Sequence, residues 1–272
     1  MPTVRMIVEY DGTAFYGMQW QPNVRTVGGT LETLLSQMFD EPIKITSAGR
    51  TDTGVHASGQ VVSFTPTREN FPWDRLRIAL NSRLPSDLSI RHTEVVDGVF
   101  SARFSALERT YVYALYHGRA TSALLARYAA HVWRDCDWAR FNDGAQFLLG
   151  EHDFRSFCGM LPESGPTIRT LRELRLESFG MVKRIVIRAD GFLHRMVRTM
   201  VGTLIECADG RRDPASLSDV LKARDRKQAG LTAPACGLYL AGVRYADGFD
   251  SFSEPPVFAL AADLAVHHND MR

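Results

Sequence analysis

The stretch Ile43-Lys44-Ile45-Thr46-Ser47-Ala48-Gly49-Arg50-Thr51-Asp52-Thr53-Gly54-Val55-His56-Ala57-Ser58-Gly59-Gln60-Val61-Val62-Ser63-Phe64 sets the reading of the fold. Ile43–Ser47 and Gln60–Phe64 read as strands on either side of a polar, glycine-containing segment. Upstream, Val4–Tyr10 alternates as a strand, and Leu31–Phe39 places Leu31, Leu34, Leu35 and Met38 at helical spacing. Downstream, Trp73–Leu84 reads as a helix and Leu88–Val95 as a strand. That order, βαββαβ, is the ferredoxin-like or split-βαβ unit.

The remainder repeats the order with longer connections. Thr110–Tyr116 is a strand, and Asp137–Leu149 a helix closed by Gly150 as its cap. Thr170–Glu177 and Val182–Ala189 form a hairpin, Leu193–Cys207 a helix, Ala215–Ala223 an extra helix and Leu238–Tyr245 the last strand. A faint echo joins the halves, VEYDGTAF near the start and IRADGFLH later, although strand-Asp-Gly turns are common. The expected class is α+β, divided into residues 1–105, residues 106–247 and a C-terminal extension at 248–272.

Composition narrows the function. The 272 residues are 45% hydrophobic and 23% charged, which fits a globular chain and not extended disorder. A net charge of +1 excludes a polybasic tail as the main binding device and leaves room for a local basic cleft. Only four of the 32 cations are lysine; the arginine excess suits phosphates, and a GC-rich genome gives the same bias. Cys136, Cys158, Cys207 and Cys236 are far apart, against a compact zinc site or disulfide scaffold. The opening MPTVRMIVEY does not read as a signal peptide, and no run approaches the ~20 apolar residues of a membrane span. A soluble, cytoplasmic protein is expected.

Three segments carry chemistry. Gly49–Ala57 (GRTDTGVHA) sets an acid two residues from an arginine on a glycine-flanked loop; the plainer alternative is a turn whose Asp52 caps local amides. Asp52-Thr53-Gly54 also resembles half of an aspartic-protease pair, but no second D-T-G occurs and the nearby Arg50 works against a shared proton. Arg109, Tyr111 and Tyr113 fall on one strand face, an arrangement used to stack an unpaired base and equally common as a core aromatic pair. In Gly191–Arg198, His194 and Arg198 stand at i and i+4 on one helix face, in a cleft or in solvent. His152-Asp153 reads as a structural loop motif, and His267 and His268 as tail residues without a role. No phosphate loop, HExxH, Ser/His/Asp signature or metal quartet is evident.

In combination these segments are far more specific. YDGTAFYGMQWQ, GRTDTGVHASGQVV, SARFSALERTYVY, GEHDFRSF, FLHRMVRTMVG and APACGLYL follow one another between about Arg5 and Tyr245. The chain thereby strongly resembles the tRNA pseudouridine synthase A family. It departs from the family pattern at Met18, where tryptophan is common, and at Gly28, where glutamine is. The resemblance implies an isomerase, without cofactor or metal, that converts uridines in the tRNA anticodon stem-loop to pseudouridine. It implies a homodimer away from membranes. Each chain would have two α/β halves in one continuous, mainly antiparallel sheet, helices on one side and the active cleft between halves. By motif, Asp52 would be the nucleophile and Arg50 its neighbour. Tyr111 would contact the uracil, Arg198 would stand beside the carboxylate, and Leu238 would form part of the apolar wall. From another class stands a non-catalytic RNA-binding or tRNA-chaperone module of the same fold, against which the retained Asp52 weighs.

Overall fold

The computed structural model describes residues 1–96, 98–163, 165–179 and 181–259. In chain order the elements are β1 (Thr3–Tyr10), α1 (Val27–Phe39), β2 (Thr46–Ser47), β3 (His56–Phe64), α2 (Leu76–Asn81) and β4 (Leu88–Val96). There follow β5 (Ala106–His117), β6 (Ala130–Val132), α3 (Trp138–Gln146), β7 (Gly150–Asp153), β8 (Ile168–Phe179), β9 (Val182–Ala189), α4 (Met196–Ala208), α5 (Leu217–Ala223) and β10 (Leu238–Tyr245). Packing divides the chain into two compact units: Met1–Arg109 with Tyr239–Glu254, and Thr110–Leu238 with the described residues from Pro255.

In the first unit the strands run β4-β1-β3-β10, with β2 also on β3. β1 is antiparallel to β3 and β4, whereas β10 is parallel to β3. Val4, Met6 and Val8 on β1 and Leu31 and Leu35 on α1 are buried, each contributing about 1.5–3 kcal/mol on leaving water. Arg5, between Val4 and Met6 on the strand, is also buried but not unpaired: Glu94 at 2.9 Å and Asp247 at 2.8 Å hold its charge, and the Phe249 ring faces its guanidinium.

In the second unit the order is β5-β9-β8-β7, with β6 parallel to β5. β8 and β9 form the expected antiparallel hairpin. A register shift between Leu171 and Glu173 lets Leu171 and Leu174 both turn inward despite their odd spacing. Helices α3 and α4 approach closely at Gly144, where a Cβ would meet Leu204 at 2.9 Å.

Several elements differ from the sequence reading, each for a local reason. Only Thr46–Ser47 of the expected strand 43–47 joins the sheet. The Ile43 and Ile45 amides donate instead to the α1 side chains of Ser36 (2.9 Å) and Glu32 (3.2 Å). α1 begins earlier, where Thr26 caps the Gly29 amide. β3 begins at His56, not Gln60, because Ala57 pairs with Tyr10 and His56 with Tyr239. Segment 73–84 is a 3-10 turn and then the short α2. Helix 215–223 likewise opens as a 3-10 turn, Pro214–Ser216. Gly150, φ +99°, opens β7 instead of capping α3, which ends at Gln146. His152-Asp153 therefore close a strand. α4 starts at Met196 behind a left-handed Arg195 (φ 58°), which leaves His194 outside the helix and removes the His194–Arg198 face. Residues 251 and 253, read as part of an extension, lie along β10: their amides donate to Val243 O (3.1 Å) and Ala241 O (2.9 Å). His267 and His268 lie outside the described residues. No helix among the described residues is long and apolar enough to cross a membrane.

Candidate active site

The loop from Ala48 to Val55 hangs between β2 and β3 and is fixed almost wholly through its backbone. At its entry Ala48 N–H donates to Val61 O (2.8 Å), and the buried Gln60 amide brackets Gly49, donating to its carbonyl (2.8 Å) and accepting from its N–H (3.3 Å). At its exit a tight turn closes as Val55 N–H donates to Asp52 O (3.1 Å), with Gly54 at φ +77°, the left-handed region that suits glycine. Thr51 is buried and shares a hydroxyl hydrogen bond with Tyr10 (2.8 Å). Burial pushes the Tyr10 phenol up to about 12, against smaller opposing hydrogen bonds from Thr51 and Gln60. Tyr10 is therefore neutral at physiological pH. Asp52 is half-buried, and Arg50 and Thr53 are exposed.

The segment after β1 supports the loop from the other side. Gly12 packs so tightly that a Cβ would stand 2.0 Å from Val55 O. Its N–H donates to His56 Nδ1 (3.0 Å), and the Asp11 carboxylate lies 3.2 Å from the same nitrogen. The His56 ring stacks on Tyr239 at 4.8 Å. Met18 N–H donates to Thr51 O (3.1 Å), and Gly17, φ +88°, lies against Thr51 and Asp52. Asp52 thus sits on a preorganised turn with buried polar support, which suits a group that must act in one orientation.

Of the expected site residues, Arg50 and Asp52 share this loop in the first unit, while Tyr111, Arg198 and Leu238 fall in the second. Tyr111, buried on β5, meets the Phe192 ring edge-on at 5.0 Å. Arg198, in the first turn of α4, donates from Nε to Ala233 O (2.8 Å), and the Ala233 amide donates to Arg198 O (3.0 Å). Tyr113 OH donates to Pro234 O (2.7 Å). Helix α4 and strand β5 therefore both hold the segment that leads into the buried Leu238. Burial raises the Tyr113 phenol; the Cys236 thiol adds to this and Arg198 opposes it.

Of the expected Arg109–Tyr111–Tyr113 face, Tyr111 and Tyr113 are both buried on β5. The Arg109 guanidinium donates to the carbonyls of Ala48 (3.3 Å), Arg103 (2.6 Å) and Ala106 (3.1 Å). The supports Tyr10, Gly12, Gly17, His56 and Gln60 went unread in the sequence. Their signals were the YDGTAFYG opening, which holds Tyr10, Gly12 and Gly17, and GRTDTGVHASGQVV, which holds His56 and Gln60.

Among the described residues, no group of three or more His, Cys, Asp or Glu side chains is placed to hold a metal ion. A hollow of about 460 Å³ lined by Asp135, Cys136, Arg140 and Asp209 contains none of the site residues. Burial pushes the Cys136 thiol up to about 11.

A family model described as tRNA pseudouridine synthase matches residues 6–105 and 145–246. The tRNA pseudouridine synthase A of Brevibacillus brevis is 42% identical over 245 residues, covering 90% of this chain and 100% of the relative. Those of Cronobacter sakazakii and Salmonella paratyphi B are each 40% identical over 252 residues, covering 92% of this chain and 92% of the relative. A dye-decolorizing protein from V. cholerae aligns over 96% of this chain and 95% of its own at 13% identity; its TM-score of 0.20 gives it no bearing on the fold.

Proposed function

The chain belongs to the tRNA pseudouridine synthase family and is an isomerase of tRNA uridine; from this premise we propose that Asp52 is its nucleophile and the anticodon stem-loop its target. The observation that carries the assignment is the Asp52 turn itself. A carboxylate stands half-buried on a loop whose neighbours are fixed by Tyr10, Gly12, Met18 and Gln60, with Arg50 two residues away.

The reaction breaks the N1–C1′ bond, turns the uracil and joins C5 to C1′. Atoms balance without a co-reactant: C5 loses a proton and N1 ends with one. Asp52 attacks the target nucleotide as a carboxylate, and Arg50 on its own loop and Arg198 on α4 are the arginines proposed to serve the site. The Tyr111 ring holds the freed uracil by stacking while it turns, and its hydroxyl assists loss of the C5 proton. Leu238 supplies apolar wall beneath the base. A uridine paired in a stem must first be extruded, which costs a few kcal/mol.

The finer architecture belongs to the same proposal: two ferredoxin-like halves, and a homodimer in the cytoplasm, where tRNA is found. The order β1-α1-β2-β3-α2-β4 in the first unit supports the ferredoxin-like reading. The chemistry as written needs neither cofactor nor metal.

The test is tritium release from tRNA carrying 5-tritiated uridine, followed by mapping of the product. Release with pseudouridine confined to the anticodon stem-loop is the expected result. Pseudouridine elsewhere in the tRNA would overturn the target assignment.

A further inference from the structure

The segment Tyr16–Arg25 forms a closed surface loop. Tyr16 N–H donates to Arg25 O (2.9 Å), and Gln21 Nε2 donates to Tyr16 O (2.9 Å). Val27 N–H reaches Gly17 O (3.1 Å) and Gly28 N–H reaches Met18 O (2.9 Å), which ties the loop to the start of α1. Its inner wall is Met18, 2% exposed; its outer rings are Tyr16 and Trp20, 54% and 57% exposed. The same loop is fastened to the Asp52 turn, through the Met18–Thr51 hydrogen bond and through Gly17, where a Cβ would stand 2.6 Å from Thr51 O.

Trp20 has a seat made for it. Gly28 and Gly29 open the first turn of α1, and a Cβ at Gly29 would come 3.1 Å from Trp20 Cδ1. One side of the indole is supported while more than half its surface stays in water. The Lys44 ammonium lies 5.8 Å from the ring centre and gives one donor to Glu32 (2.8 Å), with its side chain still 79% exposed.

We propose that Trp20 is a stacking contact for an unpaired nucleotide of the tRNA substrate, with Lys44 beside it for the adjoining phosphate. This rests on the tRNA reading above and adds to it a substrate-positioning residue outside the Asp52 turn. A rigid ring costs little entropy to use, and every base offers a face to it. The lysine is a point charge suited to a backbone phosphate. Gln19, Gln21 and Asn23 are exposed on the same loop, a polar setting that fits RNA better than an apolar contact with a second copy. The loop touches the turn that carries Asp52, so a tRNA placed for reaction passes over it.

The experiment compares Trp20→Ala and Trp20→Phe with the wild type in the full chain. It reads tRNA affinity, KM and kcat by tritium release, quenching of tryptophan emission by tRNA, thermal midpoint and sedimentation. Trp20→Ala is expected to raise Kd and KM by about 5- to 150-fold, equivalent to ~1–3 kcal/mol of stacking, with kcat and thermal midpoint little changed. Trp20→Phe should recover most of the affinity, because a flat ring remains, and should lose the part of the quenching that Trp20 reports. A weakening in Ala restored in Phe identifies stacking even if Ala also lowers the midpoint. Unchanged Kd and KM in Trp20→Ala would overturn the proposal. So would full quenching in Trp20→Phe, or a change in sedimentation that accounts for the loss and assigns the ring to an interface between copies. Absence of tritium release by the wild type would instead overturn the catalytic reading, a separate and recognisable failure.

Discussion

Strands β3 and β8 use polar residues in opposite ways. All nine residues of β3 are buried, His56, Ser58, Gln60 and Ser63 among them. Each of these four spends its polar group on loop backbone. His56 accepts from Gly12, Ser58 donates to Ser253 O (2.5 Å), Gln60 brackets Gly49, and Ser63 accepts from Ala102 N–H (3.0 Å). Of the twelve residues of β8 only Leu171 and Leu174 are buried. Its charges pair across the surface instead: Arg175 with Glu173 and Glu177, and Glu177 with Arg184 of β9. A buried polar group is costly unless bonded; bonded here, His56 and Gln60 frame the segments beside Asp52, while Ser58 and Ser63 fasten the chain at Ser253 and Ala102. A half-exposed charge ladder is a solvated cover and contributes little.

The difference is broken most severely at Gly12. Gly12→Val drives a side chain into the Val55 carbonyl, and we expect a loss of more than ~3 kcal/mol in urea unfolding together with lost turnover. Alkali attacks the same frame. The native state holds Tyr10 protonated up to about 12, whereas an unfolded tyrosine ionises near ~10, so the native state binds more protons between those values. This contribution is fully present below pH ~10 and is lost as pH rises through 12, up to roughly 3 kcal/mol. A urea midpoint that does not fall across that window would contradict it.

Gln60→Leu keeps the volume and strips Gly49 of both partners; the expected cost is ~1–3 kcal/mol, with turnover falling more than tRNA affinity. Glu177→Gln on β8 should change stability by no more than ~0.5 kcal/mol and leave turnover alone. If the β8 change matched the Gln60 change, the contrast between frame and cover would fail.

Much of this was legible in the residues, and what was not has a physical reason. Leu238–Tyr245 has the same bounds in both readings, and Val4–Tyr10 differs by one residue, because apolar alternation is a local signal. The start of β3 is hidden because Ala57, Ser58 and Gly59 are small. A Cβ at Gly59 would stand 2.1 Å from Ala241 O, a contact made by a distant strand. α1 is hidden at its start by Gly28 and Gly29, where a cap outweighs poor propensity. Arg50 and Asp52 were read from a contiguous motif. Gln60 was not, since its function depends on a register that sets it opposite Val8 on β1.

The central claim is that the frame exists to present Asp52 as a reacting group. Its most direct test is Asp52→Asn beside the wild type, by tritium release from 5-tritiated uridine in tRNA and by tRNA affinity. The amide keeps the shape of the turn and removes the nucleophile. The account predicts release below about one per cent of wild type, a loss of at least ~3 kcal/mol in barrier terms, with affinity within about threefold. Turnover by the variant above that level with affinity unchanged would contradict it.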